Sequence, residues 1–199
     1  MFPHNRSEFL IRKGKFVDSN EFNQVLQEVY QAINAVCWPP GNDQFILYPE
    51  KKGNGVKPIK EGFINALYNY NWQREERMSI VANTRPGPVD ALKILSNHKP
   101  FVVEWETGNI SSSHRALNKI ATGLIEEVII GGILIIPSRK LYNWLTDRIG
   151  NFPEIEPYFP LWRSITVKQG VLAVIEVEHD GTSESVPRIL KGTDGRALR

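Results

Sequence analysis

The sequence lacks the features that define several classes of protein. Cys37 is its only cysteine, so the chain forms no internal disulfide and offers no cysteine cluster for a metal, as expected in a reducing cytoplasm. The longest apolar run, residues 128–137, contains two glycines and is far shorter than the ~20 residues of a transmembrane helix. The amino terminus resembles neither a signal peptide nor a transit peptide, and no repeat is present. Disulfide scaffolds, membrane-spanning proteins and repeat arrays are therefore excluded.

The chain also has no strong excess of charge. Its 24 Lys and Arg against 22 Asp and Glu give a net charge of +2, too small to indicate a nucleic-acid partner by itself. With 199 residues, 41% hydrophobic and 23% charged, it is predicted to fold as a single domain over residues 1–199, with no membrane partner. Residues 185–199 carry four basic residues against one acidic and lack periodicity, which predicts a basic carboxyl-terminal arm.

The hydrophobic pattern predicts an α/β fold. Apolar residues at helical spacing predict helices over residues 21–36 and 58–72, a helix that begins near residue 111, and a short helix over 138–147. Residues 100–106, 133–136 and 171–178 are rich in β-branched or apolar side chains and predict strands. Strands that alternate with helices indicate a layered domain with a mixed sheet.

Three carboxylates are candidates for chemistry. Glu104 and Glu106 are two residues apart on a predicted strand, so both side chains project to one face while Trp105 points to the other. Asp90 lies far enough upstream for a neighbouring segment to bring it alongside. Converging carboxylates repel one another unless a cation lies among them, and oxygen ligands favour Mg²⁺ or Mn²⁺. Such a site suits phosphodiester hydrolysis.

A Glu-x-Glu pair is more often a solvated strand face than a site. Glu176 and Glu178 have the same spacing on another predicted strand, but they lack the upstream aspartate and the following capped helix, so we interpret them as structural. The four histidines show no metal-ligand spacing. Residues 53–55, GNG, do not form a phosphate loop because no Gly-Lys-Ser/Thr follows them.

Polar residues near the predicted helix start could read DNA. Asn109, Ser111 and Arg115 lie at an end where free N–H groups and the helix dipole favour phosphates, although helix capping is the simpler role for the first two. Arg148 could bridge guanine while Asp147 accepts from the paired cytosine; a surface ion pair is the alternative.

Residues 104–112, EWETGNISS, followed by His114 and Arg115, resemble the active-site and recognition segment of the BamHI family of type II restriction endonucleases. Shorter matches in the same order extend the resemblance from Trp38 to Gly195. The shortness of the chain is similar to that of the smaller family members with the same specificity. Residues 1–35 match poorly.

The resemblance implies a restriction-endonuclease-like fold of the PD-(D/E)XK superfamily, with a central mixed sheet of five or six strands flanked by helices. It implies a homodimeric bacterial enzyme of the cytoplasm, part of a restriction-modification system. The enzyme would depend on Mg²⁺ and cut palindromic double-stranded GGATCC after the first G to leave 5′ overhangs. We expect Mn²⁺ to substitute and Ca²⁺ to bind without supporting cleavage; no nucleotide cofactor is expected.

The resemblance also implies roles for individual residues. Asp90 and Glu104 fall on the metal-binding catalytic positions, and Glu106 stands where most of the superfamily carries lysine and is the candidate general base. Glu75 matches a further acidic residue near the site. The positions that match DNA contacts are Asn109, Ser111, Arg115, Asp147, Arg148, Lys191, Gly192 and Asp194. Pro153 and Pro160 flank the expected dimer contact and indicate an altered interface.

Two other functions fit parts of the pattern. A non-cleaving, sequence-specific DNA-binding protein would share the helix and the basic arm but would need no carboxylates. A glycosidase could use Glu104 and Glu106 as its carboxylate pair, without a metal. The three hypotheses differ in whether the carboxylates and a divalent cation are required.

Overall fold

A computed structural model of the chain describes residues 4–74, 88–146 and 148–192. The strands in the described part are β1 His4–Lys13, β2 Ile46–Leu47, β3 Gln73–Arg74, β4 Ala91–Ile94, β5 Pro100–Trp105, β6 Gly131–Pro137, β7 Gly170–Val177 and β8 Gly181–Thr182. The helices are α1 Asn20–Asn34, α2 Lys57–Tyr68, α3 Ile110–Ile125, α4 Arg139–Tyr142, α5 Phe152–Ile155 and α6 Phe159–Arg163. Short 3₁₀ turns occupy Lys15–Asp18 and Glu156–Tyr158.

Six of these strands form one mixed sheet, in the order β1-β7-β6-β5-β4-β3. The central strands β5, β6 and β7 are parallel, whereas β1, β4 and β3 run antiparallel to their neighbours. Strands β2 and β8 form a separate parallel pair. The predicted α/β fold with a mixed sheet of five or six strands flanked by helices is confirmed.

The side chains of β5 divide between two hydrophobic cores, one on each face of the sheet. Phe101, Val103 and Trp105 pack with α1 and α2, while Val102 packs with α3 and α6. Trp105 lies 4.9 Å from Phe63 of α2, measured between ring centroids. Because side chains alternate along a strand, Glu104 belongs to the α3 face.

Most sequence-based element boundaries agree with the structure to within a few residues, but two helices are shorter than predicted. The helix predicted over 58–72 ends at Tyr68, because Asn71 takes a left-handed conformation (φ 62°) and the amide of Trp72 bonds back to the Leu67 carbonyl. The helix predicted over 138–147 covers only Arg139–Tyr142. The strand β1, which pairs with β7 at the sheet edge, was not predicted because its sequence mixes charged and apolar residues.

The described residues include no helix of the length and apolar character needed to cross a bilayer.

The buried carboxylate of Glu28 joins α1 to strand β4 of the sheet. Glu28 accepts hydrogen bonds from Lys93 Nζ at 2.6 and 2.7 Å, from Trp72 Nε1 at 2.8 Å and from Gln24 at 3.1 Å. Its side chain is 6% exposed and that of Lys93 is 20% exposed. This network fixes the strand that begins directly after Asp90.

We expect Glu28→Leu to destabilise the protein by about 2–3 kcal/mol, since it leaves the Lys93 ammonium and the Trp72 N–H without their acceptor in a largely buried place. Urea unfolding monitored by circular dichroism measures the change. Adding Lys93→Met should recover part of the loss. A loss under about 0.5 kcal/mol, the range of ordinary surface substitutions, would show that the network contributes nothing.

Candidate active site and nucleic-acid interface

Two carboxylates meet where β4 and β5 pair. Ala91 is opposite Val103 in the antiparallel register, which brings the preceding residue, Asp90, beside Glu104. The backbone amide of Trp105 donates to Asp90 Oδ2 at 2.8 Å and fixes this arrangement. The structure therefore brings together the two residues that the sequence indicated as metal ligands.

Burial makes this pair electrostatically costly. Glu104 is 8% exposed, and burial together with the charge of Asp90 raises its pKa from 4.5 to about 7, although Lys119 and Lys60 act in the opposite direction. A carboxylate with this pKa holds a proton part of the time at neutral pH unless positive charge is added. Positive charge close to the pair favours the ionised form of Glu104.

Two lysines provide positive charge. Lys60 of α2 places Nζ 2.6 Å from Asp90 Oδ1. Lys119 of α3 donates to Glu104 Oε1 and, at 2.7 Å, to the carbonyl of Pro88. Sequence reasoning missed both residues. The sequence did contain a signal for Lys119, because this lysine lies within the apolar stripe of its helix. A lysine is buried at such a position only when its charge is paired.

Glu106 has different hydrogen-bond partners from Glu104. It follows β5, its amide continues the ladder to Ile135, and its Oε1 accepts from the Gly108 amide at 2.5 Å. Burial and the charge of Asp90 raise its pKa, and the Gly108 N–H, Lys60 and Arg115 only partly offset this. A Cβ at position 108 would lie 2.8 Å from Glu106 Oε1, so the Glu106 carboxylate would have to shift to admit a side chain there.

The ligand chemistry of the pair fits a hard divalent cation. Carboxylate oxygens are the ligands of Mg²⁺, and the two ammonium groups mark where positive charge is stabilised. No three His, Cys, Asp or Glu side chains in the described part of the chain converge closely enough to hold a metal. The candidate ligand set is therefore the pair Asp90 and Glu104, and not the three converging carboxylates that the sequence suggested.

The amino-terminal end of α3 lies next to these carboxylates. The side chain of Asn109 caps the helix by accepting a hydrogen bond from the Ser112 amide at 3.2 Å. Asn109 therefore has the helix-capping role that the sequence offered as the simpler alternative. Asn109, Ser111 and Arg115 are all exposed. The charge of Arg115 acts on Glu106, which places this exposed side chain near the carboxylates. DNA contacts from these residues stay a prediction.

A second exposed segment borders the same end of α3. Arg148 is exposed and has a left-handed backbone (φ 70°), and the amide of Gly150 donates to the Gly108 carbonyl at 2.8 Å. The two segments predicted to contact DNA are thus joined by a backbone hydrogen bond. Three predicted site residues, Glu75, Asp147 and Asp194, lie outside the described residues.

Within the described range, the predicted carboxyl-terminal arm packs along the protein. The Pro187 carbonyl accepts from Trp38 Nε1 at 2.7 Å, and the Ile189 carbonyl accepts from the Gly55 amide at 2.7 Å. A Cβ at Gly55 would lie 2.1 Å from the Leu190 carbonyl oxygen, so only glycine allows this approach. Lys191 and Gly192 follow as exposed residues.

Asn54 connects the arm to the Arg148 segment. Its Nδ2 donates to the carbonyls of Tyr48 and Trp144 at 2.9 and 3.0 Å, and its Oδ1 accepts from the Ile189 amide at 3.3 Å. Its backbone also pairs with residues 144 and 146. In the sequence, Asn54 is recognisable only as part of a short matched motif. Its hydrogen bonds could not be predicted, because its partners are 90 and 135 residues away in the chain.

The comparison pair Glu176 and Glu178 has a different environment. Ser138 Oγ donates to Glu178 at 2.6 Å, and the amide and ring of His179 also contact it. Burial raises the pKa of Glu178, but these hydrogen bonds outweigh it, and the pKa is lowered overall. Ser138 also caps α4. The structural interpretation of this pair agrees with these contacts.

The ring of His114 has aromatic neighbours. His114 packs 4.6 Å from the ring of Tyr158 and 5.6 Å from that of Trp162. None of the described histidines belongs to a cluster that could hold a metal.

Comparison with known proteins identifies the class. The family described as restriction endonuclease BamHI matches residues 3–196. The chain therefore belongs to the BamHI family of type II restriction endonucleases, which are site-specific deoxyribonucleases. Restriction endonucleases generally use divalent metal ions, and dimers are typical of this family.

Two relatives of known class are similar to the chain over nearly its full length. The chain is 51% identical over 194 residues to the type II restriction enzyme OkrAI of Oceanobacter kriegii, with 98% of each protein covered. It is 37% identical over 205 residues to the type II restriction enzyme BamHI of Bacillus amyloliquefaciens, which covers 100% of this chain and 92% of that enzyme. A crystal structure of restriction endonuclease BglII complexed with a DNA 16-mer aligns with 65% of this chain and 64% of that one, with a TM-score of 0.47 and 8% identity.

We expect Asn54→Ala to lower the free energy of unfolding by about 1–3 kcal/mol, because it removes two side-chain hydrogen bonds to part-buried carbonyls and leaves the buried Ile189 amide without its acceptor. Chemical denaturation measures the loss. Asn23→Ala, on the exposed side of α1, is the control and should change stability by less than about 0.5 kcal/mol. Equal effects of the two substitutions would contradict the role assigned to Asn54.

Ser138→Ala should cost about 1–2 kcal/mol at pH 7, since it removes a hydrogen bond to an ionised carboxylate and a helix cap. Because the pKa of Glu178 is lowered, the bond to the ionised carboxylate stabilises the protein above pH 4.5 and is lost as the pH falls through the folded pKa. The difference in unfolding free energy from wild type should therefore shrink between pH 7 and about pH 3. An unchanged difference across that range would refute this.

Proposed function

We propose that this enzyme cleaves both strands of double-stranded DNA at the palindrome GGATCC, after the first G, in a Mg²⁺-dependent reaction. The proposal is supported by near full-length similarity to OkrAI and BamHI. It is carried by one structural observation: the pair of half-buried Asp90 and buried Glu104 lies near Glu106, on which the exposed Arg115 of α3 also acts. A single domain acting in the bacterial cytoplasm is part of the same proposal.

Asp90 and Glu104 would hold the cation. When bound, Mg²⁺ supplies positive charge that stabilises the leaving oxygen and helps to ionise water. Asp90 is fixed by the Trp105 amide, and Glu104 by Lys119, so both carboxylates are oriented before the substrate arrives. Such preorganisation lowers the cost of reaching the transition state.

Glu106 acts as the general base. Its raised pKa makes it a better proton acceptor than an ordinary carboxylate, and its Oε2, to which no residue in the described ranges donates, can take the proton of the attacking water. The Gly108 amide keeps the other oxygen in place. By resemblance, Glu75 is assigned an assisting role.

Sequence recognition is assigned to the exposed polar groups around α3. Asn109, Ser111 and Arg115 would act from the helix start, and Arg148 with Asp147 from the adjoining segment. Arginine bridges guanine O6 and N7, and aspartate accepts from cytosine N4, which suits the G·C pairs of the site. Lys191, Gly192 and Asp194 would approach the minor groove.

A homodimer explains the palindrome. Two identical subunits related by a two-fold axis present the same readers to the two half-sites, so each subunit specifies three base pairs. Each subunit also contributes one carboxylate site, and each site cuts one strand.

Digestion of a sequenced plasmid with Mg²⁺, followed by run-off sequencing of both cut strands, tests the proposal. We expect cuts only at G/GATCC and none after chelation with EDTA. Cleavage elsewhere, or specific binding with no cleavage in Mg²⁺, would contradict it, the second result in favour of a DNA-binding protein that does not cut.

Asp90→Asn should retain specific DNA binding but reduce cleavage by about 10²–10³-fold or more, as expected when one preorganised electrostatic partner is removed. Glu106→Lys should behave in the same way. Single-turnover cleavage and gel-shift binding measure the two properties separately. Glu176→Gln, in the comparison pair, is the control and should cut at the wild-type rate; wild-type cleavage by Asp90→Asn would refute the site.

A further inference from the structure

One buried ammonium group contacts Glu104 and the backbone two residues before Asp90. Lys119 is 7% exposed in its side chain. It donates to Glu104 Oε1 and to the carbonyl of Pro88, two residues before Asp90. A buried lysine is costly unless its charge is paired, so this position is held by those two acceptors.

The contact leaves Glu104 with one oxygen available. No residue in the described ranges donates to Glu104 Oε2. Lys119 therefore fixes the orientation of the carboxylate without occupying both of its oxygens. Through the Pro88 carbonyl, the same ammonium also bonds to the segment that leads into Asp90.

Lys119 belongs to the helix that presents the candidate DNA readers. Arg115 lies one turn earlier on α3, and Asn109 caps the same helix. Leu117, Ile120 and Leu124 are buried in the core on the same helix, so α3 is packed along its length. Because one packed helix carries both Lys119 and the candidate readers, DNA that binds the readers acts on the helix that holds the Lys119 ammonium.

We infer that Lys119 is a positioning residue that orients Glu104 for the divalent cation and couples this orientation to DNA binding by α3. The inference rests on the proposed function for the identity of the DNA and the cation. It goes beyond that function in assigning the coupling to one side chain. Lys119 itself takes no part in bond breaking.

The chain contains a matched control. Lys93 is also a mostly buried lysine paired with a buried glutamate, Glu28, but it lies behind β4 and away from the candidate readers. Lys119→Met and Lys93→Met each remove a buried ammonium and keep the length of the side chain. Lys119→Arg keeps the charge.

The test measures how much Ca²⁺ tightens binding to a fluorescent GGATCC duplex, by anisotropy, with a GGTACC duplex for comparison. We expect Ca²⁺ to tighten GGATCC binding by wild type and Lys93→Met by about 10-fold or more, in the range of ordinary coupling between sites. Lys119→Met should lose this gain while its binding without metal stays within about 3-fold of wild type, and Lys119→Arg should recover part of the gain.

A second measurement uses no DNA. Ca²⁺ alone should raise the melting temperature of wild type and Lys93→Met, and this rise should disappear in Lys119→Met. If Lys119→Met keeps the Ca²⁺ gain in both measurements, the inference is wrong. If wild type does not prefer GGATCC over GGTACC, the proposed specificity fails, and the melting measurement still decides the role of Lys119.

Discussion

The arrangement around the site follows from the repulsion between two carboxylates that the sheet holds side by side. Asp90 and Glu104 are brought together by the pairing of β4 with β5, and Glu104 is almost fully buried. Such a pair is stable only if positive charge accompanies it. Lys60 from α2 and Lys119 from α3 provide that charge from opposite faces of the sheet, so both helical layers contribute to one electrostatic centre.

The carboxylates are also connected to the exposed segments that carry the candidate DNA readers. α3 begins directly after the segment that carries Glu106, and the Arg148 segment is bonded to that segment through Gly150 and Gly108. Asn54 then holds the chain before Arg148 and the start of the carboxyl-terminal segment. The candidate readers and the carboxylates are thus connected by short backbone hydrogen bonds and by one buried amide.

Much of this could be predicted from local pattern. The helical stripe of α3 and the apolar strands β6 and β7 follow from hydrophobic periodicity, and the spacing of Asp90 allowed a neighbouring segment to bring it alongside Glu104. Long-range pairing could not be predicted in this way. The partners of Asn54, the edge strand β1 and the lysines beside the carboxylates depend on contacts between segments far apart in the chain, which one sequence does not specify.

Crystals of the protein with a GGATCC duplex, soaked in Mn²⁺, would test the central claim most directly, since Mn²⁺ gives an anomalous signal. The account predicts an anomalous difference peak within coordination distance of one oxygen of Asp90 and one of Glu104. Anomalous density elsewhere, with these carboxylates still paired only with Lys60 and Lys119, would contradict it.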